Sequence, residues 1–248
     1  YHTDSQVHCD SYTWIDGNTY TSSNNTATFT YANANSFGCD SIIMLDLTIV
    51  QTPQTSAGPD INSCNLNATL GASVAIGTGT WSCNDASVII DYPNTENTTV
   101  TAPSYGSYTF YWFDDNNFGC TSIDSMIVNF YEQPIADAGN NAAICGNSVE
   151  LNALPSVGVG SWSTTTIGSS FFPNINSAQT NITNPNHTPT IAIWTEDNNG
   201  CIDTDYVTVA FSMPTIADAG NDISICSGES VTLNAQGGAE YVLSLIHI

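Results

Sequence analysis

The chain repeats itself with a period of roughly 80 residues, and this repetition restricts the fold more than any other feature. Cys64, Cys145 and Cys226 follow one another at a constant spacing (145 − 64 = 81 and 226 − 145 = 81). Trp81 in the phrase GTGTWS and Trp162 in the phrase GVGSWS are separated by the same distance (162 − 81 = 81). We therefore expect an array of similar modules, each folded around its own core.

Each unit consists of short runs that are rich in β-branched and aromatic residues. Such runs occupy residues 148–153, 160–163, 190–194 and 206–211, and turn residues (Gly, Pro, Asn or Asp) separate them. About seven short strands in a unit of this size are typical of a Greek-key β-sandwich of the immunoglobulin-like type. Because no run has a helical period, the sequence predicts an all-β fold.

The period divides the chain into four parts. Residues 54–133 and 134–214 are predicted as complete β-sandwich repeats. Residues 1–52 are predicted as a short β module that ends, like the repeat after it, in an F-G-C turn and a strand. Residues 215–248 are predicted as the truncated start of a further repeat. Their ending, LSLIHI, resembles translated sequencing adapter, so we expect the residues from about 238 onward to be artefactual.

The charge of the chain excludes whole classes of partner. It has no Lys or Arg and 23 Asp or Glu, which gives a formal net charge of -23. Such a chain is repelled by the phosphates of nucleic acids and by anionic membrane surfaces. No apolar run reaches the roughly 18 residues that a membrane-spanning helix needs. We expect neither nucleic-acid binding nor membrane insertion.

The cysteines of the two complete repeats are predicted to form structural disulfides. The interval from Cys64 to Cys120 equals the interval from Cys145 to Cys201 (120 − 64 = 56 and 201 − 145 = 56). One disulfide in each repeat is the simplest pairing, and it places the protein in an oxidising compartment. Zinc ligation is disfavoured because the chain has no C-x-x-C pair.

The other cysteines divide into one further pair and two thiols. In the short first module we expect a Cys9–Cys39 disulfide. Cys83 has no counterpart in the next repeat, where Thr164 stands, and Cys226 lies in the incomplete repeat. Both are predicted to be unpaired thiols.

An acid–amide phrase occurs twice, as DDNNFGC at residues 114–120 and as EDNNGC at residues 196–201. Asp, Asn and Gly favour hairpin turns, because they tolerate left-handed backbone conformations and make Asx-turns. The alternative is a calcium site, because carboxylate and amide oxygens are the ligands that this ion prefers. The candidate ligands are Asp114, Asp115, Glu196 and Asp197, and calcium is the one candidate cofactor.

The tryptophans are predicted to be core residues. Trp81, Trp112, Trp162 and Trp194 lie in alternating runs that favour burial, whereas exposed rings would favour sugar stacking. For Trp14 in the first module, the sequence does not distinguish core burial from sugar stacking. No base, nucleophile and oxyanion donor occur at catalytic spacing, so we do not expect an enzyme.

Several phrases resemble the repeats of very large surface proteins. The segment CDSYTWIDGNTYTSSNNTATFTYANANSFGCDSIIMLDLTI resembles the short repeats of Bacteroidetes adhesins that are associated with gliding motility and exported by the type IX pathway. The phrases ADAGN, SVELNA, GSW, EDNNGC and YVTVAF resemble the PKD-like or Ig-like modules that accompany them. The resemblance implies tandem Ig-like/PKD-like β-sandwich modules in a linear array, and it implies no catalytic residue.

These features predict a structural or adhesive repeat region of a secreted or cell-surface protein, which acts as a stalk or an adhesion module. Its first partners are neighbouring repeats of the same chain, and surface glycans or other cell-surface proteins are further candidates. The expected location is extracellular, on the outer surface of a bacterium. The alternative function is a set of accessory carbohydrate-binding modules of a secreted hydrolase.

Overall fold

The computed structural model describes residues 2–34, 37–73, 77–238, 240 and 242. These residues form nineteen strands and no α-helix, which confirms the predicted all-β class. No helix in the described part is long and apolar enough to cross a membrane. The chain divides into two compact units. The first extends to Gln133 and also includes Asn199–Cys201, whereas the second comprises Pro134–Asn198 and the described residues from Ile202 onward.

The first five strands form a small open sheet and a short hairpin. They are β1 (His2–Cys9), β2 (Tyr12–Thr13), β3 (Thr19–Tyr20), β4 (Thr28–Tyr31) and β5 (Ser41–Val50). The sheet order is β1-β5-β4, with β1 parallel to β5, and β2 pairs with β3. Strand β5 alternates because one face is covered: Leu45 and Leu47 are buried together with Trp14, and Asp46 is exposed.

The next seven strands form a two-sheet sandwich within the first unit. They are β6 (Ile61–Ser63), β7 (Asn67–Gly71), β8 (Thr78–Cys83), β9 (Ile89–Ile90), β10 (Asn97–Thr101), β11 (Gly106–Asp115) and β12 (Thr121–Phe130). One sheet has the order β6-β12-β11-β8 and the other β7-β10-β9. The buried residues between them include Leu70, Val100, Phe110, Met126 and Val128.

The last seven strands repeat this topology in the second unit. They are β13 (Ala142–Cys145), β14 (Ser148–Asn152), β15 (Val159–Thr164), β16 (Ser170–Phe172), β17 (Gln179–Thr183), β18 (Thr190–Asn198) and β19 (Cys201–Ser212). The sheet orders are β13-β19-β18-β15 and β14-β17-β16. The same strand order in consecutive repeats makes the chain a tandem series of Ig-like β-sandwich modules, as the sequence period predicts.

The predicted core tryptophans lie inside the sandwiches. Trp81 pairs with Trp112 across β8 and β11, and Trp162 pairs with Trp194 across β15 and β18. Their ring centroids are 5.1 and 5.2 Å apart, and all four side chains are at most 2% exposed. Trp14, for which the sequence did not distinguish burial from sugar stacking, is buried as well. The core assignment of the four tryptophans is confirmed.

In each sandwich repeat, a side-chain carboxylate on the last strand binds the segment that precedes the first strand. Asp124 Oδ2 in β12 accepts a hydrogen bond of 2.9 Å from the backbone N–H of Ala57. Asp205 Oδ2 in β19 accepts one of the same length from Ala138. These acids are one sequence period apart (205 − 124 = 81) and have the same function, because an alanine N–H buried at the repeat boundary needs an acceptor. The strand pattern alone did not single them out.

The segment after β19 is mostly exposed. One isolated bridge joins Asp218 to Gln236, and no further strand is described between residues 213 and 238. The predicted artefactual end, from about residue 238 onward, lies outside the described residues except for positions 238, 240 and 242.

Candidate functional site

The first acid–amide phrase forms the turn between β11 and β12. Asn117 and Gly119 have φ angles of 66° and 85°, which Asn and Gly tolerate better than other residues. Asn116 organises the turn, because its Oδ1 accepts hydrogen bonds from the N–H groups of Phe118 at 3.0 Å and Cys120 at 3.2 Å. Its Nδ2 donates to the carbonyl of Gln51 at 2.9 Å, which ties the turn to the segment after β5.

The second phrase forms a shorter turn between β18 and β19. Two residues separate these strands, Asn199 and Gly200, with φ angles of 56° and 94°. Positive φ at both central positions is the requirement of a type I′ hairpin, and Asn-Gly is its preferred sequence. The turn interpretation of both phrases is confirmed.

Each turn is followed by a cysteine that forms a disulfide: Cys120 directly precedes β12, and Cys201 is the first residue of β19. Cys120 bonds to Cys9, with a Cα–Cα distance of 5.7 Å. Cys201 bonds to Cys64, with a Cα–Cα distance of 5.4 Å. Each bond joins a cysteine at or directly after the end of the first strand of one sequence module to the cysteine that follows the last hairpin turn of the next. The predicted Cys9–Cys39, Cys64–Cys120 and Cys145–Cys201 pairings are therefore wrong.

Parallel pairing of the first and last strands explains the error. In the second repeat, Cys145 at the end of β13 lies beside Ser212 at the end of β19. Cys201 is eleven residues back along β19 (212 − 201 = 11). At about 3.3 Å per residue, that is about 36 Å away along the strand. A disulfide requires Cα atoms within about 7 Å, so the two cysteines of one repeat cannot meet.

The remaining cysteines differ in exposure. Cys83 and Cys226 are free thiols, as predicted, and so is Cys145, which was predicted to be bonded. Cys145 and Cys226 are exposed, whereas Cys83 is partly buried and lies 3.4 Å from Asn84 Oδ1. Burial raises the pKa of the Cys83 thiol above its ordinary value. Cys39 is exposed, and Cys9 is not its partner because the Cys9 sulfur is bonded to Cys120.

Glu196 is a buried carboxylate whose oxygens are all satisfied. Trp194 Nε1 donates to Oε1 at 2.9 Å, and Ser156 donates to the carboxylate through its backbone N–H and its hydroxyl group. Burial acts to raise the pKa of Glu196, but these hydrogen bonds together outweigh it and leave the pKa below its ordinary value. Glu196 is thus charged and stabilises the loop before β15.

Asp114 occupies the matching position in the preceding repeat, two residues after Trp112. Its side chain is 0% exposed, and neither carboxylate oxygen has a hydrogen-bond partner within the described part of the chain. Trp112 Nε1 is also buried without a partner there. The aspartate is one methylene shorter than Glu196, and Ala75, without a hydroxyl group, stands in the sequence where the next repeat has Ser156. Burial raises the pKa of Asp114 above its ordinary value.

The G-x-G-x-W phrase of each repeat makes room for a tryptophan. A Cβ atom on Gly79 would overlap Cζ2 of Trp112, and one on Gly160 would overlap Cζ2 of Trp194. Each glycine precedes by two residues the tryptophan that pairs with that ring across the sheet. The phrase therefore encodes a contact between an indole and a neighbouring backbone, a meaning that the sequence period alone did not reveal.

The candidate calcium ligands have other roles in the structure. Asp114 and Glu196 are buried inside separate sandwiches, and Asp115 Oδ1 accepts the N–H of Asn117 at 2.8 Å. Within the described residues, no group of three or more His, Cys, Asp or Glu side chains is close enough to hold a metal ion. Glu196 is thus engaged in core hydrogen bonds and Asp115 in its turn, and Asp197 lies in β18 opposite Val159. Calcium binding stays a prediction from the sequence alone.

Comparisons with known proteins concern the fold. A scan of family models finds no match, and neither does a search of curated proteins. Extracellular domains 3–5 of Drosophila OTK align with a TM-score of 0.43 and 10% identity, over 68% of this chain and 66% of that one. Sidekick-1 immunoglobulin domains 1–4 align with a TM-score of 0.39 and 9% identity, over 82% and 63%. The PKD domain from KIAA 1837 protein aligns with a TM-score of 0.31 and 23% identity, over 36% and 95%. The chain spans about two thirds of the length of the first two structures.

Proposed function

We propose that this chain is a structural repeat region of a secreted or cell-surface protein, in which consecutive modules are joined both by the backbone and by disulfides. The observation that carries the proposal is the pair of bonds Cys9–Cys120 and Cys64–Cys201. Each bond connects two modules that already follow one another along the chain. Such cross-links limit how far a chain under tension can extend.

The two disulfides overlap along the sequence, and this sets the extensible length. Without disulfides, the path from Cys9 to Cys201 follows the whole backbone between them (201 − 9 = 192). Through the Cys64–Cys201 bond, the shortest covalent path contains only the segment from Cys9 to Cys64 (64 − 9 = 55). At about 3.4 Å per extended residue, the span falls from roughly 650 Å to roughly 190 Å.

A second path of almost equal length runs beside the first. It passes from Cys9 to Cys120 through the disulfide and then back along the chain to Cys64 (120 − 64 = 56). Because the two paths differ by a single residue, they become taut almost together when the modules unfold under load. Two segments of the same chain, residues 9–64 and residues 64–120, then share the tension, which suits a stalk or an adhesion module.

The location and the wider family belong to the same proposal. Disulfides persist in oxidising compartments, which supports a position outside the cytosol. The phrases that resemble Bacteroidetes gliding-motility adhesins support a surface protein exported by the type IX pathway. With all five tryptophans buried, none presents an open ring face for a sugar, so the geometry does not favour the carbohydrate-binding alternative.

Single-molecule pulling from the two termini tests the load-bearing role. The oxidised chain should reach full extension about 470 Å earlier than the reduced chain, because Cys64–Cys201 hides 137 residues at about 3.4 Å each. Cys9→Ser should leave that extension unchanged, because it removes only the second path. Equal extension of oxidised and reduced chains would contradict the proposal. Binding of the oxidised chain on a broad glycan array would favour the carbohydrate-binding alternative instead.

A further inference from the structure

We infer that Cys145 is a covalent docking site for the turn cysteine of the module that follows the second repeat. Its partner would be the cysteine directly after the last hairpin turn of that module, the position that Cys120 and Cys201 occupy in theirs. The inference extends beyond the proposed role, because it names the chemical partner of a thiol. It depends on the pairing of the cysteines and holds whatever load or ligand the array carries.

Three cysteines share one structural position. Cys9 and Cys145 are the last residues of β1 and β13, and Cys64 immediately follows the last residue of β6. Each of these strands is parallel to the last strand of its own module. Two of the three cysteines, Cys9 and Cys64, bond to the turn cysteine of the next module. Cys145 is the third member of the set.

The backbone around Cys145 matches that around Cys9. The residue after Cys9, Asp10, donates its N–H to the carbonyl of Val50 at 2.9 Å. The residue after Cys145, Gly146, donates to the carbonyl of Ser212 at the same distance. In both cases the cysteine is directly opposite the accepting residue in the parallel ladder. The strand end that presents the bonded sulfur of Cys9 therefore presents the thiol of Cys145 in the same way.

The thiol of Cys145 is available for the reaction. It is exposed and makes no disulfide, and the hydroxyl group of Ser212 lies 3.3 Å from its sulfur. Its own repeat offers no alternative partner, because Cys201 is bonded to Cys64. Cys83 is also a free thiol but is partly buried, so exposure distinguishes Cys145 from it.

The bond forms by thiol–disulfide exchange. The Cys145 thiolate attacks a small disulfide such as oxidised glutathione, and one glutathione thiol leaves. The thiolate of the partner cysteine then attacks the mixed disulfide, and the second glutathione thiol leaves. The two protein thiols lose two protons and two electrons, and one oxidised glutathione becomes two reduced molecules.

An inserted repeat tests the inference directly. A second copy of residues 134–214, placed between positions 214 and 215 of the full chain, supplies the missing turn cysteine at the observed period. After oxidation with glutathione, peptide mapping without reduction should show Cys145 bonded to the inserted copy of Cys201. The inference is overturned if that copy instead bonds to the inserted copy of Cys145, or if both remain thiols in a folded protein.

Two variants keep the test interpretable. In the same insertion, changing the copied Cys201 to Ser should restore one reactive thiol at Cys145, at an otherwise unchanged fold. In the original chain, Cys9→Ser should leave Cys120 as a thiol while Cys64–Cys201 persists. A shift of Cys64 from Cys201 to Cys120 would show that the cysteines choose partners by sequence proximity, and it would overturn the inference even if the insertion failed to fold.

The mapping and the pulling experiment can fail separately. Correct Cys145 pairing with unrestricted extension would refute the load-bearing role and keep the inference. Restricted extension, together with an inserted turn cysteine that does not bond to Cys145, would support the load-bearing role and refute the inference.

Discussion

The indole of Trp194 donates its Nε1 hydrogen to Oε1 of Glu196 over 2.9 Å, and both side chains are at most 1% exposed. Glu196→Gln removes a buried charge on which one indole and two Ser156 donors converge. We expect the free energy of unfolding of the second repeat to fall by about 1–3 kcal/mol at neutral pH, since hydrogen bonds to charged groups are the strong ones. Urea unfolding followed by tryptophan fluorescence measures the change.

Asp114→Asn is the matched variant in the preceding repeat, and its expected effect is opposite. The Asp114 carboxylate is buried, and burial outweighs the opposing influence of the Asp115 backbone and Thr55 on its pKa, so neutralising it removes a charge that the buried site disfavours. We expect the free energy of unfolding to rise by about 1–3 kcal/mol at pH 7. A loss of stability equal to that of Glu196→Gln would show that Asp114 is hydrogen-bonded in solution.

The two acids also predict opposite responses to pH. The pKa of Glu196 is lowered by folding, so its stabilisation is present above the ordinary value of 4.5 and is lost as the pH falls through the folded pKa. The pKa of Asp114 is raised, so its charge destabilises the fold at neutral pH. That cost disappears as the pH falls from the raised pKa to the ordinary value of 3.8. Titrating stability for Asp114→Asn and Glu196→Gln should give difference curves of opposite slope.

The glycines beneath the tryptophans should not tolerate a methyl group. Gly79→Ala and Gly160→Ala force a Cβ into the ring of Trp112 or Trp194, and we expect each to lower stability by about 1–3 kcal/mol or more. Gly71→Ala is the control, because its Cβ would come no closer than 3.4 Å to Asn97 Oδ1. Thermal unfolding of the three variants measures the difference, and equal midpoints would contradict the packing argument.

The thiols should react in the order of their exposure. With iodoacetamide under native conditions at pH 7.5, Cys145 should be alkylated faster than Cys83, because burial raises the pKa of the Cys83 thiol and hides its sulfur. Exposed Cys226 serves as the reference for an accessible thiol. Timed quenching and peptide mass spectrometry give the rates, and faster labelling of Cys83 would contradict the structure.

Calcium should leave the melting temperature unchanged. The carboxylate oxygens of Glu196 are taken by protein donors, and Asp115 is engaged in its turn. Melts of the oxidised chain in millimolar calcium and in EGTA test this expectation. A bound cation at about a hundredfold excess over its dissociation constant would add roughly 2–3 kcal/mol. A rise of that size, abolished by Asp115→Asn, would restore the calcium hypothesis.

Local chemistry accounts for the parts of the candidate site that the sequence predicts correctly. Asn117-Phe118-Gly119 and Asn199-Gly200 are turn residues because their conformational preferences depend on themselves and their neighbours. Trp112 and Trp194 are predictable as core residues because the alternation of a strand shows which face is buried. The difference between Asp114 and Glu196 was visible as one methylene group, but its meaning required the position of the indole.

The sequence by itself determined the all-β class, the repeat period, the turns and the buried tryptophans, because each depends on a local pattern that recurs along the chain. Only the tertiary structure decided the disulfide partners. The cysteine spacings within the two repeats are equal (120 − 64 = 56 and 201 − 145 = 56), whereas the bonded cysteines are 111 and 137 residues apart, so the regular spacing favoured the wrong partners. The parallel alignment of β13 with β19 places Cys145 and Cys201 at opposite ends of one sheet. A covalent bond requires proximity in space, and that proximity exists between Cys64 and Cys201.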